Sequence, residues 1–550
     1  MLDEPAPFSL RSQGDDTAVS LTPSAHLDSF TRDNLPPADQ WPEFNEAWLT
    51  ERYPDRLNCA AELLDGSIAR FGGQGCALLD GEQSWTYDQL VDRVQRTANV
   101  LVGLGVVPGN RVLLRGPNNP WLAVTWLAVI RVGAVAVTTM PLLRAGELEK
   151  IVDIAQVQFA LVDHRFVDEW AAVSNFPGVT VTYGSTHAND LDQLVIGAAG
   201  SHVPVDTAAD DVCMLAFTSG TTGKPKATMH FHRDVLAIAD SFCASIVQPT
   251  PADVFAGSPP FAFTFGLGAL LVFPLRFGAS SLLLESAAPP LLLKAIERHR
   301  VTCLFTAPTA YRAMLPSVGE VDLSSLRVCV SAGETLPEPT WRAWHAATGQ
   351  ALVDGIGATE MLHVFISATG SQIVPGSTGK GVPGYLADVV DDDFNPMPPG
   401  QPGRLVVKGP TGCRYLNDDR QRDYVRAGWN VTGDVYIKDE NGYFFYQARA
   451  DDIIVSSGYN IAAPEVESAL MGHVAIQEVA VVGKPDEARG MIVKAFVVLT
   501  PNATASDGLV HELQGFVKAA ISPYKYPREI EFVDELPKTA TGKLQRFKLK

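Results

Sequence analysis

With 550 residues and a 46% hydrophobic composition, the chain is long enough for several cores, and two or more domains are expected. Its 62 acidic against 43 basic residues leave a net charge of −19, which repels nucleic acid and anionic membrane and excludes both as expected partners. Seven cysteines, scattered and without CxxC or Cys/His metal spacing, fit a reduced compartment rather than a disulfide framework or a zinc module.

The N-terminus, Met1-Leu2-Asp3-Glu4-Pro5, is acidic and carries no apolar run, so no secretory signal is expected. The C-terminal Phe547-Lys548-Leu549-Lys550 is not a peroxisomal Ser-Lys-Leu address, and a cytoplasmic location follows as the expectation. Residues 1–45 show no sustained periodicity and read as an extended arm laid over the domain surface. From there, strand-like runs at 111–115, 134–137, 159–162, 301–305 and 326–330 alternate with helical patterns such as 87–104, which predicts an α/β architecture with parallel sheet. The apolar stretch 121–140 is broken by Arg131 and Gly133 into a short helix and a valine-rich strand, a buried core rather than a membrane span.

Residues 401–450 change character to short strands, with a hairpin turning at Asp439-Glu440-Asn441-Gly442. Beyond Asp451 a small unit restarts. Pro464 is expected at a first helical position with Glu465 and Glu467 in the acid-favouring first turn. Strands at 476–482 and 491–499 follow, then a helix presenting Val510, Leu513, Val517 and Ala520 on one face. The expected fold is therefore α/β: a large N-terminal domain of several subdomains with parallel sheets, residues 1–450, and a small mobile α+β domain, residues 451–550.

The run Phe217-Thr218-Ser219-Gly220-Thr221-Thr222-Gly223-Lys224-Pro225-Lys226 concentrates hydroxyls and glycines ahead of two lysines, a composition suited to cradling phosphate. It is not a Walker A loop: only two residues separate Gly220 from Gly223, and Pro225 follows Lys224 and lacks an N–H. Four further stretches lie in order along the chain: Asp354-Gly355-Ile356-Gly357-Ala358-Thr359-Glu360; Thr432-Gly433-Asp434 reaching to Arg449-Ala450-Asp451-Asp452; Ser457-Gly458-Tyr459-Asn460-Ile461 with Pro464-Glu465-Val466-Glu467; and Pro537-Lys538-Thr539-Ala540-Thr541-Gly542-Lys543. Together, from about residue 60 to the end, these motifs resemble the acyl-adenylate-forming enzymes, which include acyl- and aryl-CoA ligases, adenylation domains of peptide synthetases and luciferases.

The resemblance implies a two-step reaction using ATP, Mg²⁺ and coenzyme A, in which a carboxylate becomes an acyl-adenylate and then a thioester. By resemblance Thr218 to Lys224 hold the triphosphate, Thr359 contacts phosphate, Glu360 helps hold Mg²⁺, and Lys543 bridges the α-phosphate and the acyl oxygen. Asp434, assisted by Arg449, would accept the ribose hydroxyls, while Gly333, Glu334, Asp354 and Gly355 would wall the adenine. Ser457, Gly458 and Tyr459 would line the pantetheine path, with Lys525 and Arg528 as contacts for CoA phosphates and Asp451 as the hinge. Ala227 and Ala448 stand where the family usually has glycine. Gly376-Ser377-Thr378-Gly379-Lys380-Gly381 is a decoy, matching a structural turn of the family, and Lys380 stays out of the expected site.

Phe261, Phe263 and Phe265 alternate where the family lines its acyl pocket, although alternating phenylalanines also suit ordinary strand core. His363, three residues after Glu360, resembles the histidine that lies by the carboxylate in benzoate-type ligases. With Gly355 it completes the expected acyl-binding set. The stretch Lys226 to His232 and the arm around Asp33-Asn34-Leu35-Pro36-Pro37 resemble 2-aminobenzoate–CoA ligases. The expected acid is 2-aminobenzoate with benzoate as runner-up, and an acyl carrier protein or a downstream biosynthetic enzyme is the candidate protein partner. A carrier-loading adenylation protein and a non-catalytic nucleotide-binding regulator are the competing readings.

Overall fold

The structure, a computed structural model, describes residues 21–81, 83–218, 225–449, 452–456, 459–486, 490–521, 523–538 and 544–549. By its contacts the chain divides into two units. One takes in residues 1–336, 340–387 and 407–430, and the other 337–339, 388–406 and 431–550. The expected boundary at Asp451 lies outside the described residues.

The first unit contains two large sheets. In the six-stranded sheet, Val179–Tyr183, Phe159–Asp163, Arg111–Arg115, Val135–Thr139 and Val212–Thr218 run parallel in that spatial order, and Lys226–Phe231 closes the edge antiparallel. In the nine-stranded sheet, Leu352–Gly357, Val328–Ala332, Cys303–Thr306, Val254–Gly257, Ser280–Leu282 and Cys76–Asp80 form a parallel centre. Antiparallel strands flank that centre at both ends.

Local chemistry accounts for the helices between them. Tyr87–Gly103 starts with a reciprocal capping box of Thr86 and Gln89 and buries Leu90, Val94, Ala98 and Leu101 at helical spacing. Pro120–Arg131 begins with proline in its first turn and the Asn119 side chain accepting the Leu122 N–H at 2.9 Å. Nearly every residue of that helix is buried, so its apolar run is a core helix, as expected from sequence. Arg131 ends it by pairing with Asp65 and donating to the His202 carbonyl at 2.7 Å. No helix of the described residues is long and apolar enough to cross a membrane. The arm from Leu21 onward is tied down: Thr22 N–H donates to Asp210 and Ala25 N–H to Asp211, each at 3.0 Å.

The second unit carries an antiparallel pairing in which Trp429–Lys438 meets Phe444–Arg449, with Asp434 opposite Arg449. Beyond it, Tyr459–Ala462, Ile453–Ser456, Gly490–Leu499 and Ile476–Asp486 form a sheet, and Glu529–Phe532 adds in parallel. Helices Ala463–Met471 and Asp507–Ala520 join it around Ile461, Val466, Leu470, Val481 and Leu513. Two details differ from the sequence expectation. Helix Asp507–Ala520 buries Leu509, Leu513 and Val517, while Val510 is half-buried and Ala520 exposed, because the buried stripe follows i, i+4, i+8 from Leu509. Pro464 takes the second helical position, and Glu467, beyond the first turn, is engaged in a half-buried pair with Arg546 at 2.7 Å.

Candidate active site

The phosphate-loop residues Ser219, Gly220, Thr221, Thr222, Gly223 and Lys224 lie outside the described residues, but both strands that lead to them are in place, with Thr218 opposite Lys226. The Thr218 hydroxyl is buried without a hydrogen-bond partner. Lys226 is fixed from three sides: its Nζ donates to the Tyr415 hydroxyl at 2.5 Å, lies 3.3 Å from Glu360 Oε1, and sits 4.5 Å from the Tyr415 ring centre. Tyr415 in turn donates to Glu360. Burial and the Glu360 charge push its phenol far above the ordinary value, so it stays a donor. Glu360 is 7% exposed, on the short turn Thr359–Met361 that follows strand Leu352–Gly357. The result is a carboxylate held at a strand end beside an ammonium, a hard oxygen ligand that suits Mg²⁺. Tyr415 was not among the expected site residues.

The residues expected to wall the adenine occupy the carboxyl ends of two adjacent parallel strands, where open α/β sheets bind ligands. Ser331 pairs with Asp354 and Ala332 with Gly355. Gly333 follows at φ +89°, and a Cβ there would meet nothing within 4 Å, which leaves its face open to a flat ring. Glu334 succeeds it at the start of the turn. Gly355 differs: a Cβ there would come within 2.8 Å of Val364, so strand packing gives its glycine a reason independent of any ligand. Asp354 is half-buried, and its Oδ1, which is buried, has no hydrogen-bond partner. Burial raises its carboxyl to about 8, the Gly355 N–H and Thr378 offsetting only part. An orphaned acceptor of this kind fits an exocyclic amine such as that of adenine.

That carboxyl supplies a prediction. Its native value lies above the unfolded one, so its stabilising contribution is present in acid and is lost as pH rises through about 8. Asp354→Asn cannot titrate, so in calorimetric melts without nucleotide, from pH 5 to 9, wild type falls progressively below the variant. Parallel melting curves over that range would refute the raised value.

On the acyl side, the alternating phenylalanines are not a strand. Phe261 is buried, Phe263 sits at the N-cap, and Thr264–Leu267 opens a helix that continues through a π-helical run, Gly268–Val272, into Phe273–Arg276. A second π run, Ala239–Val247, carries Phe242. His363, 2% exposed, is ringed by Phe273, Phe242 and Phe265 at centroid distances of 4.7, 5.2 and 5.5 Å. Gly268 faces it: a Cβ there would lie 2.5 Å from His363 Cδ2. Burial takes the imidazole down to about 3, a contact with the Phe265 backbone offsetting little, so the ring is neutral. Neither of its nitrogens has a hydrogen-bond partner.

In the second unit, Asp434 is 8% exposed and accepts from Arg449 Nη1 at 3.0 Å, while the same nitrogen donates to the Thr432 carbonyl at 3.1 Å. Gly433 between them has φ +78°, and a Cβ there would lie 2.9 Å from Arg449 Nη2. Lys525 and Arg528 have partners of their own: Lys525 Nζ contacts both Glu465 oxygens at 2.6 Å, and Arg528 donates to the Tyr526 hydroxyl at 2.8 Å. A CoA phosphate would therefore compete with Glu465 for Lys525. Lys543, Asp451, Ser457 and Gly458 lie outside the described residues, and Tyr459 is placed only by its backbone in strand Tyr459–Ala462. Both ends of the segment that bears Lys543 are anchored. Lys538 bridges to Leu544 and pairs with Glu478 at 2.7 Å, and Arg546 pairs with Glu467.

Residues 65–415 match the AMP-binding enzyme family, and residues 465–543 match the AMP-binding enzyme C-terminal domain. Among curated proteins the chain is similar to benzoate–CoA ligase of Thauera aromatica, 36% identical over 512 residues that cover 91% of this chain and 97% of that one. Among solved structures it is similar to the anthranilate CoA ligase AuaEII in complex with anthranoyl-AMP, with TM-score 0.86, 33% identity and coverage of 91% and 98%. It is also similar to a benzoate CoA ligase from Burkholderia xenovorans LB400, with TM-score 0.81, 32% identity and coverage of 90% and 99%. A carboxylate poised at a strand end, an orphaned acceptor beside an open glycine and a family match over most of the length agree, and the chain belongs to the AMP-binding, acyl-adenylate-forming enzymes.

Proposed function

We propose that the chain is an aryl-CoA ligase that activates 2-aminobenzoate. As an acid–thiol ligase of this family it uses ATP and coenzyme A as substrates and Mg²⁺ as cofactor. In the first step an acid oxygen attacks the α-phosphorus and pyrophosphate leaves. In the second the CoA sulfur attacks the acyl carbon, AMP leaves, and the thiol proton goes to solvent. Glu360 would hold Mg²⁺, which when bound would supply positive charge to the phosphates. Around it Thr218, Thr359 and Lys226 bind or orient, Asp354 and Gly333 take the adenine side, Asp434 with Arg449 the ribose, and Lys543 neutralises charge as the acid approaches.

The observation that carries the choice of acid is His363, a neutral imidazole with both nitrogens unpartnered amid three phenylalanine rings. The rings suit a flat aromatic body. A neutral imidazole offers one donor and one acceptor on opposite edges of its ring, so a single acid meets one of them, through its carboxylate or through the ortho amine of 2-aminobenzoate, and likeness to the anthranilate CoA ligase in complex with anthranoyl-AMP favours the acid with the amine. An aliphatic acid could meet the imidazole through its carboxylate but would not stack on the rings. Benzoate is the second reading, favoured by the 36% identity to a benzoate–CoA ligase.

The test compares kcat/KM for 2-aminobenzoate, benzoate, a medium-chain fatty acid and acetate. The expected result is 2-aminobenzoate at least about tenfold ahead of benzoate, in line with a polar group that the site is built to pair. Benzoate well ahead would remove the amine from the assignment. An aliphatic preference would remove the aromatic ring as well.

A further inference from the structure

The spacing of the cysteines hides a cluster that folding assembles. All seven are free thiols, yet Cys59, Cys213 and His232 converge from three distant parts of the chain. Cys59 opens the short helix Cys59–Leu63, Cys213 lies in strand Val212–Thr218, and His232 follows strand Lys226–Phe231. Each is fully buried. One ligand atom from each lies within 4.8 Å of the other two, and His232 Nδ1 is 3.3 Å from Cys59 Sγ.

We propose that Cys59, Cys213 and His232 form a binding site for a divalent thiophilic cation, Zn²⁺ by chemical class, that acts as a structural staple distinct from the Mg²⁺ position at Glu360. With Nδ1 3.3 Å from Cys59 Sγ and no pair of ligand atoms more than 4.8 Å apart, shifts of about 1 Å or less bring the donors to the ordinary zinc distances of about 2.3 Å for sulfur and about 2.0 Å for imidazole nitrogen. The donors choose the ion: two soft sulfurs and an imidazole favour Zn²⁺ or Cd²⁺ over Mg²⁺ or Ca²⁺. Charge agrees, since two thiolates and a neutral imidazole make a divalent complex neutral overall, which a dry core tolerates. Binding forms two S–metal bonds and one N–metal bond, releases both thiol protons to solvent, and changes no oxidation state.

Two existing contacts are exchanged. The Cys59 N–H now donates to His232 Nδ1 at 3.1 Å, and the Cys213 thiol donates to the His230 carbonyl at 3.5 Å. Both are single hydrogen bonds, one of them from sulfur, against three coordinate bonds. The bound ion would tie helix Cys59–Leu63 to strand Val212–Thr218 and to the end of strand Lys226–Phe231, the hairpin whose far end leads into residues 219–224, raising the stability of that hairpin by mass action.

The test uses the full chain, stripped with a chelator and titrated with Zn²⁺ and then Cd²⁺. The expected result is one ion per chain, release of about two protons per ion, a rise in melting temperature and a sulfur-to-cadmium charge-transfer absorption. Cys213→Ser and Cys59→Ser should each weaken binding by about 100-fold or more, while Cys76→Ser, at a half-buried thiol elsewhere, leaves it unchanged. The wild-type proton count and charge-transfer intensity report thiolate ligation even where a serine variant fails to fold. No stoichiometric uptake, uptake that survives both serine changes, or peptide mapping that finds Cys59 and Cys213 joined as a disulfide would each overturn the site.

Discussion

Glu360→Gln lowers the rate of adenylate formation by about 10²–10³-fold, the loss expected when a charged group facing the transferring phosphate becomes neutral. The amide keeps the size of the carboxylate but removes the charge that Lys226 and Tyr415 are arranged around. Both contacts converge on Oε1, where the amide carbonyl can still accept them, so what the substitution removes is the negative charge facing the ammonium and a metal ion. Two readouts separate the proposed Mg²⁺ role from a purely structural one. Pyrophosphate exchange should fall while the melting temperature stays close to wild type, and the Mg²⁺ concentration for half-maximal rate should rise. Unchanged Mg²⁺ dependence with exchange within threefold of wild type would make Glu360 a structural residue.

Lys543→Ala is expected to abolish adenylation, by about 10³-fold or more, and to leave thioester formation from supplied acyl-adenylate within a few-fold of wild type. Only the first step brings two anions together, so only that step needs a mobile cation at the point of attack. The anchors on either side of the segment, Lys538 with Glu478 and Arg546 with Glu467, are untouched by the substitution, so its effect is local. Equal loss in both half-reactions would end the assignment of Lys543 to the first step alone.

Features specified by local chemistry are legible in the amino-acid order. Strand and helix alternation in the first unit follows from continuous apolar runs broken by capped helices, and the Asp354 to Glu360 run lies where a parallel strand delivers it. The pairing of Asp434 with Arg449 follows from one hairpin, a local feature that turn chemistry specifies. What stays hidden depends on contacts across long separations. Tyr415 lies 189 residues from Lys226 in a stretch with no nucleotide signature, and the bridge between Thr228 and Tyr415 brings it to the site. Alternation at Phe261, Phe263 and Phe265 suggests a strand, but Gly266 and Gly268 sit where a Cβ would strike the Pro260 carbonyl at 2.2 Å or His363 at 2.5 Å, and close packing there selects a helix. The basic character of Lys525 is legible; its engagement with Glu465 at 2.6 Å is not, because charge composition does not reveal pairing.

The two π-helical runs flanking His363 bear on how this pocket can change over evolutionary time. A π turn holds one residue more than an α turn, so it is the mark of a single-residue insertion that the helix absorbed without unravelling. Removing one residue from Gly268–Val272 would let the helix return to α geometry and rotate Phe265 by about 100° relative to Phe273, dismantling one aromatic wall while leaving the sheets and the nucleotide side as they are. Acid preference in this scaffold can thus be rewritten by the length of a helix as well as by substitution of the residues that touch the acid.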